Sequence, residues 1–499
     1  MKKINKVLLL TPPAFTFKDA IDISPLPPMG LGYLAAVLRN KGLDVRIIDS
    51  LIEGWEEREE INDKEIRVGL HFSKIKEIIE EYNPDLIGIN MLFTKQRSNA
   101  HKIFEIAKLV NPKIITVGGG AHATILPEDV LSDKNVDFVV MGEGENTISD
   151  LIEVIDGHKN IDALDGIAYK HNNDIKIVPK IKFITNLDEI PFPAWDLMKL
   201  EKYYGLEATH GKRKRKKFAP IITSRGCPAR CVFCSAYKVW GRRYRQRSVE
   251  NVLAEMKILK ERYGIEELLF EDDNVTLNKV RAKEIFMGMI ENKFNFVWDT
   301  PNGVAAYALD NELINLMKNS GCHKMNLAIE SGNQEVLNKI IKKPVKLEKV
   351  RELILYAKKI KLDVGLYLII GMPGEKIEQM RDTFKIAADL DIFDPHVSVA
   401  TPYPGSELYD ACVKNGYMGQ QFTLDDLYIR SFSINTEDWT GEQIREVFKN
   451  GFKYLRCAYI KRHPIRKILY YFQVFIRHPF KSIIKIDSLI KNVMGAIKT

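Results

Sequence analysis

The first 226 residues of this chain contain no cysteine, and the whole chain of 499 residues has only six. So few thiols exclude a disulfide-stapled extracellular fold. In a reducing cytoplasm, where we expect this protein, clustered thiols are more often metal ligands. Long apolar runs are also missing, since no segment approaches the roughly 20 residues that span a bilayer. The sequence therefore predicts no membrane-spanning helix.

The first 456 residues have no net positive charge, and the C-terminal tail accounts for the whole excess. Lys and Arg number 74 against 66 Asp and Glu, but the stretch from Cys457 to Thr499 holds nine Lys/Arg and one acid, Asp487. This tail repeats a short motif, RHPIRKIL and RHPFKSII, with apolar residues at helical spacing. A basic amphipathic helix suits an anionic membrane surface, so we expect peripheral contact with the inner membrane face. The alternative is that the apolar face packs on the rest of the protein.

Two series of alternating strands and helices predict an α/β protein. The first series has the strands KVLLLTPP, DVRIIDS, DLIGINM, KIITVGG and VDFVVMGE. Continuous Val/Ile/Leu strands separated by helical patterns indicate a doubly wound, Rossmann-like parallel sheet that binds ligands at the carboxyl ends of its strands. The second series has six strands, FAPIITSRG, ELLFEDD, FVWDTPNG, KMNLAIES, DVGLYLIIG and HVSVATPYP. Six parallel strands with crossover helices predict a partial, TIM-like (β/α)6 barrel with its chemistry at the C-terminal mouth.

Four segments follow from these patterns. We expect the first sheet in residues 1–160, a hairpin and proline-bearing linker in 161–210, the barrel in 211–430, and a helical, basic and amphipathic extension in 431–499.

Three of the six cysteines lie within eight positions, in CPARCVFC, where Cys227, Cys231 and Cys234 have C-x3-C-x2-C spacing. A structural zinc site is closed by four protein ligands, so this group would need a further Cys or His nearby in space. Three thiolates without an obvious fourth favour an iron–sulfur cluster with one open iron. The candidates for a fourth zinc ligand are His210, Cys322, His323, Cys412 and Cys457; a buried free thiol is the ordinary expectation for the three cysteines among them.

The cysteine motif resembles that of the radical S-adenosylmethionine (SAM) superfamily. FEDDNVT, LAIESGN and YLIIGMPGE, each at a strand end in the expected order, match further motifs of that fold. PLPPMGLGYLAAVL, VGGGAHAT and VVMGEGENT resemble the cobalamin-binding (B12-binding) domain of one large branch of the superfamily. The resemblance covers about residues 1 to 430.

The resemblance implies the cofactors and several site residues. Cys227, Cys231 and Cys234 would hold a [4Fe-4S] cluster whose fourth iron binds SAM for reductive cleavage. Phe233 would pack near the adenine, Glu330 and Ser331 would hydrogen-bond the methionine or ribose portion, and the backbone at Gly371 would line the adenine site. The alternatives without a role in cofactor binding are that Phe233 is an ordinary core residue, that Glu330 is a surface acid, and that Asp272 and Asp273 cap the following helix.

Cobalamin is the third cofactor that the resemblance implies. The Asp-x-His-x-x-Gly loop of mutase-type cobalamin domains is absent, and TPPAF occupies its place. In the radical branch the lower axial His is commonly missing, so its absence does not decide the matter. Strand-end position makes Thr94, Gly119, Gly120 and Glu143 the candidate corrin contacts; the alternative is that they only form tight turns.

The function expected from this resemblance is C-methylation of an unactivated carbon of a hydrophobic or lipid-like substrate, with electrons from a donor such as flavodoxin or ferredoxin. A radical cyclase or C–C bond-forming enzyme acting on a tetrapyrrole or lipid is the alternative. RNA methylthiotransferases carry cluster cysteines in their N-terminal domain, which this chain lacks. An iron–sulfur or zinc module that binds RNA through GKRKRKK (211–217) is less favoured, because such charge runs are usually solvated linkers.

Overall fold

The computed structural model describes residues 3–464 except 19–22, 24, 173, 207–212, 420, 421 and 428–431. The predicted tail helices from residue 465 onward lie outside these described residues. Among the residues described, no helix is both long and apolar enough to span a membrane.

The described structure contains eighteen strands and fifteen α-helices, besides short 3-10 and π-helical turns. The strands are β1 (Lys6–Thr11), β2 (Ala14–Phe17), β3 (Asp44–Asp49), β4 (Arg58–Glu60), β5 (Glu65–Val68), β6 (Leu86–Asn90), β7 (Ile115–Gly119), β8 (Phe138–Val140), β9 (Ile167–His171), β10 (Asp174–Val178), β11 (Phe218–Ile221), β12 (Ser224–Arg225), β13 (Arg245–Gln246), β14 (Glu267–Phe270), β15 (Val297–Asp299), β16 (Cys322–Glu330), β17 (Asp363–Ile370) and β18 (His396–Val399). The α-helices are α1 (Met29–Asn40), α2 (Ser50–Glu53), α3 (Phe72–Tyr82), α4 (Arg97–Val110), α5 (Ala121–Ile125), α6 (Pro127–Ser132), α7 (Gly144–Ile155), α8 (Ala236–Trp240), α9 (Val249–Tyr263), α10 (Lys279–Glu291), α11 (Asn311–Asn319), α12 (Leu347–Lys359), α13 (Ile377–Asp389), α14 (Glu407–Lys414) and α15 (Gly441–Arg462).

Local sequence signals explain where the barrel helices begin and end. The Ser248 side chain accepts from the Asn251 amide at the start of α9, and Gly264 ends that helix at φ +64°. Asp310 accepts from the Leu313 amide at the start of α11. These side chains satisfy amide groups that a helix terminus leaves without intrahelical partners.

The N-terminal sheet has the order β10-β9-β8-β7-β6-β1-β3. β3, β1, β6, β7 and β8 are mutually parallel, which confirms the predicted Rossmann-like sheet. Val7 and Leu9 pack with the core that includes α1, and Leu8 and Leu10 pack with α3 and α4 on the other face. The strand order reverses between β1 and β6, so the crevice for a ligand lies at their carboxyl ends.

The second sheet has the order β11-β14-β15-β16-β17-β18, and every neighbouring pair is parallel. The predicted six-stranded partial barrel is therefore confirmed. Met325, Leu327 and Ile329 of β16 belong to the apolar core. Because side chains alternate along a strand, Lys324 and Asn326 point to the opposite, inner face.

Two small antiparallel pairings were not predicted from the sequence. β2, β5 and β4 form a small antiparallel sheet, and β12 pairs with β13. β4 and β5 have the sequences REE and EIRV, which are short and contain no continuous apolar run, so the pattern that identified the other strands is missing. The expected hairpin, β9 and β10, adds two antiparallel strands to the edge of the N-terminal sheet.

The long helix α15 packs against α13 of the barrel. Gly451 faces the ring of Phe384, and the rings of Phe384 and Phe452 are 5.8 Å apart with an edge-to-face arrangement. The absence of a side chain at Gly451 thus allows the close approach of the two helices.

Candidate active site and cofactor sites

The three motif cysteines lie on the loop between β12 and α8. Cys227, Cys231 and Cys234 are free thiols, and each is partly exposed. Burial raises the pKa of the Cys231 thiol to about 12, and neighbouring Cys234 and Cys227 also raise it. Thiols of this kind release their protons when a metal takes the place of the proton. The loop therefore offers three sulfur ligands close to one another.

The donor set fits a polynuclear cluster better than a single ion. Within the described part of the chain, no three or more His, Cys, Asp or Glu side chains are placed to hold one metal ion. A closed zinc site needs four such ligands at bonding distance from one centre. Three thiolates on one loop suit a [4Fe-4S] cluster with one open iron.

Asp272 holds the start of the cluster loop. Its Oδ1 accepts from Thr223 Oγ1 at 2.8 Å, and its carboxylate accepts from the Thr223 amide and from Ser224 Oγ. The cap of the following helix, α10, is Asn278 instead. The helix-cap interpretation of Asp272 is therefore wrong, because its carboxylate is directed back toward β11 and β12.

Asp273 and Asn274 present buried polar atoms that have no hydrogen-bond partner among the described residues. These atoms are Asp273 Oδ2 and Asn274 Nδ2. Burial and the charge of Asp272 raise the pKa of Asp273 to about 6. Burial, and to a smaller extent Asp273, raises the pKa of Cys227 and of Cys234. Unsatisfied buried polar atoms beside the cluster loop fit a site for a polar cofactor such as SAM.

A buried ion pair lies on the other side of the loop. Lys343 Nζ is 2.6 Å from Glu330 Oε1, and both side chains are almost fully buried. Lys343 opposes the effect of burial on the pKa of Cys231. Burial raises the pKa of Tyr307, and Cys227 adds to this rise. The sequence analysis identified Glu330 but missed Lys343 and Tyr307, since neither belongs to a recognisable motif.

Glu330 occupies an unusual backbone conformation at the end of β16. Its φ is +69°, and the register of β16 against β17 shifts between Ala328 and Glu330. A non-glycine residue in the left-handed region costs roughly 1–2 kcal/mol. Ser331 is fully buried, lies 3.3 Å from the Thr383 hydroxyl and accepts from the Asn333 amide. The turn thus directs the Glu330 carboxylate toward Lys343.

Phe233 and Gly371 lie at the edge of the same region. Phe233 is partly buried and packs against the barrel core. Its neighbour Val232 donates its amide to Ile341 O, which ties the cluster loop to the turn after β16. Gly371 has φ +81° and donates its amide to Glu375 Oε2 at 2.9 Å. Their contacts with adenine remain predictions.

In the N-terminal domain, Thr94 and Gly120 lie on neighbouring strand-end loops. Thr94 Oγ1 is 3.2 Å from Nδ1 of the buried His122, and His122 Nε2 is 3.2 Å from Asp129 Oδ2. Gly120 has φ +102°, and a Cβ there would lie 2.7 Å from Asn90 Oδ1. Gly120 is therefore required by the fold itself.

Gly119 is different, because a Cβ there would find only Val140 O, at 3.7 Å. Nearby Leu92 and Phe93 are 49% and 66% exposed at the carboxyl end of β6. Open space beside a glycine, bordered by exposed apolar side chains, fits the approach of a large flat macrocycle such as a corrin.

Glu143 is fully engaged with protein groups. Its Oε1 accepts from Arg245 Nη1 at 2.6 Å and from Arg225 Nη1 at 3.2 Å, and its Oε2 accepts from the Ile184 amide. Glu145 Oε1 is 2.6 Å from Arg225 Nη2. This buried network joins the carboxyl end of β8 to the strand that precedes the cluster loop. A corrin contact at Glu143 would therefore have to come from its backbone.

The inner face of the barrel is polar. Glu267, Leu269 and Glu271 share this face along β14 and just beyond it. Glu267 accepts from the Lys214 and Arg215 amides, and His323 Nε2 is 3.4 Å from Glu267 Oε1. Asn302 Nδ2 donates to Glu271 Oε2 at 3.1 Å. Tyr367 donates to Pro301 O at 2.6 Å, and burial together with Asp299 and Glu271 raises its pKa.

Comparisons with known proteins agree with this architecture. The profile of the Radical SAM superfamily matches residues 221–387, and that of the B12 binding domain matches residues 24–152. The chain is 35% identical to cytidylyl-2-hydroxyethylphosphonate methyltransferase of Streptomyces wedmorensis over 89% of each chain. It is 33% identical to an uncharacterized methyltransferase of Pyrococcus horikoshii over 96% of each chain.

A solved structure has the same fold. It is that of the radical SAM methyltransferase TsrM of Kitasatospora setae, with tryptophan and a SAM analogue bound. The TM-score is 0.67 at 16% identity, and the match covers 90% of this chain and 89% of that one. The protein's cofactors are accordingly a [4Fe-4S] cluster, SAM and cobalamin. The chain therefore belongs to the radical SAM superfamily, in the branch with an N-terminal B12-binding domain, and is a cobalamin-dependent radical SAM methyltransferase.

Proposed function

We propose that this enzyme methylates an unactivated carbon of a polar small molecule held against the inner face of the barrel. The observation that carries this proposal is the group of polar side chains on that face toward the carboxyl ends of its strands, including Glu271, Asn302 and Tyr367. Buried polar groups are matched by hydrogen-bonding partners, so a substrate that lies among them is expected to supply donors and acceptors.

The residues around the cluster loop have distinct roles in this proposal. Cys227, Cys231 and Cys234 would hold the cluster, and Asp272 orients the loop that carries them. Glu330 and Lys343 offer opposite charges to the amino and carboxylate ends of SAM. Asp273 and Asn274 offer unsatisfied polar atoms to the rest of that molecule. Phe233, Ser331 and Gly371 keep the predicted roles beside its adenine and ribose, with Ser331 acting through the turn that it stabilises.

In the N-terminal domain the open side of Gly119 would receive the edge of the corrin. Thr94 is oriented by His122, which Asp129 holds from its other nitrogen. Gly120 keeps the two strand-end loops close together, and Glu143 joins this edge to the cluster loop. When bound, the three cofactors supply reductive radical formation for hydrogen abstraction and a transferable methyl group.

The expected hydrophobic or lipid-like substrate has less support than a polar one. That expectation depended on the basic tail, and residues 465–499 lie outside the described residues. The inner face, by contrast, is described and polar. The relative from Streptomyces wedmorensis is named for a cytidylyl phosphonate, and the TsrM structure holds tryptophan. Both molecules are polar, which supports the same class for this chain.

Product analysis tests the proposal. The anaerobically reconstituted enzyme is incubated with SAM labelled in its methyl group, a chemical reductant, and three acceptors in parallel: cytidylyl-2-hydroxyethylphosphonate, tryptophan and protoporphyrin. We expect labelled methyl in one of the polar acceptors. Labelling of protoporphyrin alone would contradict the polar substrate class, and an altered but unlabelled acceptor would support the cyclase or C–C coupling alternative instead.

The proposal also includes an external electron donor of the flavodoxin or ferredoxin type. Peripheral membrane contact through the basic tail stays a prediction. Co-sedimentation of the whole chain, and of a chain that ends at residue 461, with vesicles containing anionic lipid would test it.

A further inference from the structure

The segment from Ser224 to Ser248, which contains the cluster loop, carries positive charge only. It holds seven Lys/Arg and no Asp or Glu, namely Arg225, Arg230, Lys238, Arg242, Arg243, Arg245 and Arg247. Outside the C-terminal tail the chain has no overall excess of positive charge, so this local excess needs a physical reason.

Three of the seven residues are explained by the fold. They are buried and form ion pairs: Arg225 with Glu145, Arg245 with Glu143, and Arg247 with Glu255. Buried charges are retained in proteins when they are paired and hydrogen-bonded, as these are. Their role is to join the cluster loop to the N-terminal domain and to α9.

The other four residues have no acidic partner within the described part of the chain. Arg230, Lys238 and Arg243 are exposed, and Arg242 is half-buried. None of the four forms an ion pair with any residue that the structure describes. We call these four residues the basic patch.

The basic patch is continuous. Arg242 Nη1 donates to Ala229 O at 2.9 Å, which places it beside Arg230. Its guanidinium lies 3.9 Å from the ring centroid of Tyr237, beside Lys238. Arg243 follows directly in the chain. The half-buried Arg242 therefore contacts Ala229 and Tyr237, which adjoin Arg230 and Lys238 in the chain.

The basic patch also lies over the cluster loop. Arg230 is between Cys227 and Cys231 in sequence, and the carbonyl of Arg243 packs so closely on Gly226 that a side chain there would overlap it. The proposed substrate surface is formed by residues of β14, β15 and β17 and the loops that follow them, whereas the basic patch belongs to the segment that carries the cysteines. The two sets of residues therefore lie on different elements.

We propose that the basic patch is the docking surface for a small acidic protein that carries one electron at a time, such as a flavodoxin. This inference rests on the proposed function, because the radical chemistry needs an electron from outside the chain. The reduced carrier loses one electron to the cluster and no proton is transferred. Opposite charges on the two partners accelerate encounter, and unpaired surface cations serve this purpose without stabilising the fold.

A charge-reversal experiment tests the surface directly. Lys238→Glu/Arg243→Glu changes the patch by four charges without touching the cysteines or a described ion pair. The matched control is Lys113→Glu/Lys134→Glu, which makes the same change at two exposed lysines near the amino ends of β7 and β8 in the N-terminal sheet. Binding of a purified oxidised flavodoxin to each holoenzyme is measured by stopped-flow fluorescence at several salt concentrations.

We expect the patch variant to bind the flavodoxin about tenfold more slowly at low salt, and the control to bind like the wild type. The difference is expected to vanish near 1 M salt, where the Debye length is about 3 Å. Equal behaviour of the two variants would overturn the proposal.

Activity assays separate the docking surface from the reaction. With dithionite as reductant, SAM cleavage by the patch variant is expected to match the wild type, whereas with flavodoxin it is expected to fall. A raised KM for the methyl acceptor, or a loss of RNA or vesicle binding in place of flavodoxin binding, would assign the patch to another ligand and overturn the proposal. If dithionite supports no methyl transfer by the wild type, the proposed function fails, while the binding measurement still decides the docking surface.

Discussion

Replacement of Arg225 by methionine tests the connection between the two domains. Arg225 lies two residues before Cys227, and its guanidinium is 5.2 Å from the ring centroid of Tyr33 and 5.0 Å from that of Trp240. It forms ion pairs with Glu145 and Glu143. Methionine would still pack between the two rings, so the substitution removes mainly the charge. Glu145 would then be buried without its cation, whereas Glu143 would keep Arg245.

The expected loss of unfolding free energy is about 3–5 kcal/mol, the usual result of removing one partner from a buried ion pair. The loss should depend on pH. Burial raises the pKa of Glu145, but Arg225 outweighs it and the net pKa is lowered in the wild type. The wild-type pair therefore contributes stability above 4.5, the ordinary pKa of a glutamate carboxyl, and that stability is lost as the pH falls. In Arg225→Met, burial without the cation favours the protonated form of Glu145, so this variant recovers stability as the pH falls. The difference between Arg225→Met and wild type should therefore be largest near neutral pH and should shrink toward pH 4.

Urea denaturation of the apoprotein at pH 7.5 and pH 4.5 measures this difference. Arg230→Met is the matched control, since Arg230 is an exposed arginine of the same segment that forms no ion pair with a described residue, and we expect it to change stability by less than about 0.5 kcal/mol. The double variant Arg225→Met/Glu145→Leu should recover most of the loss, because an apolar pair of similar volume replaces a buried ion pair at little cost. The reasoning would be refuted if Arg225→Met were no less stable than Arg230→Met, or if the double variant were less stable than Arg225→Met.

Three further outcomes are expected. Gly119→Ala should leave the apoprotein as stable as the control Gly30→Ala, since a Cβ meets no close atom at either position. Only Gly119→Ala should weaken cobalamin binding, which a titration followed by absorbance measures. Equal cobalamin affinities of the two variants would contradict the proposed corrin position. Burial raises the pKa of Glu375 to about 8, so this acid keeps its proton in the folded state, whereas the unfolded state loses it above pH 4.5. The unfolding free energy of the wild type relative to Glu375→Gln, measured by urea denaturation, should therefore fall by about 1.4 kcal/mol per pH unit between pH 5 and 8. A difference in unfolding free energy that does not change with pH would show that Glu375 is ionised. Lys343→Gln should weaken SAM binding roughly tenfold in calorimetry, as expected for the loss of a charged hydrogen bond. Lys342→Gln, at an exposed neighbour, should have little effect. Similar SAM affinities of the two variants would show that Lys343 is not part of the SAM site.

Much of the fold could be predicted because its strands are continuous apolar segments. KVLLLT and DVGLYLII became β1 and β17, and the order of six parallel barrel strands followed from their succession in the chain. The strands β4 and β5 were missed because their residues are largely charged and their small sheet packs on few apolar neighbours.

The candidate site was predictable to the extent that its residues are close in sequence. Cys227, Cys231 and Cys234 lie within eight positions, so a single loop carries all three. Glu143 shows the limit of the strand-end argument: its position was predicted, but its carboxylate binds Arg225 and Arg245, which are 82 and 102 residues away in the chain. Asp272 likewise binds residues 48 and 49 positions before it rather than the next helix.

By itself, the sequence determined that the chain has two parallel β/α units, three clustered thiols and the motifs of a radical SAM enzyme, because each of these is written in consecutive residues. Only the tertiary structure decided which charges are paired. It separated the buried arginines of the cluster segment from the four that face outward, placed Lys343 beside Glu330, and showed that Gly120 serves the fold while Gly119 borders open space. Burial and pairing depend on residues brought together from distant parts of the chain, and local patterns carry no information about such partners.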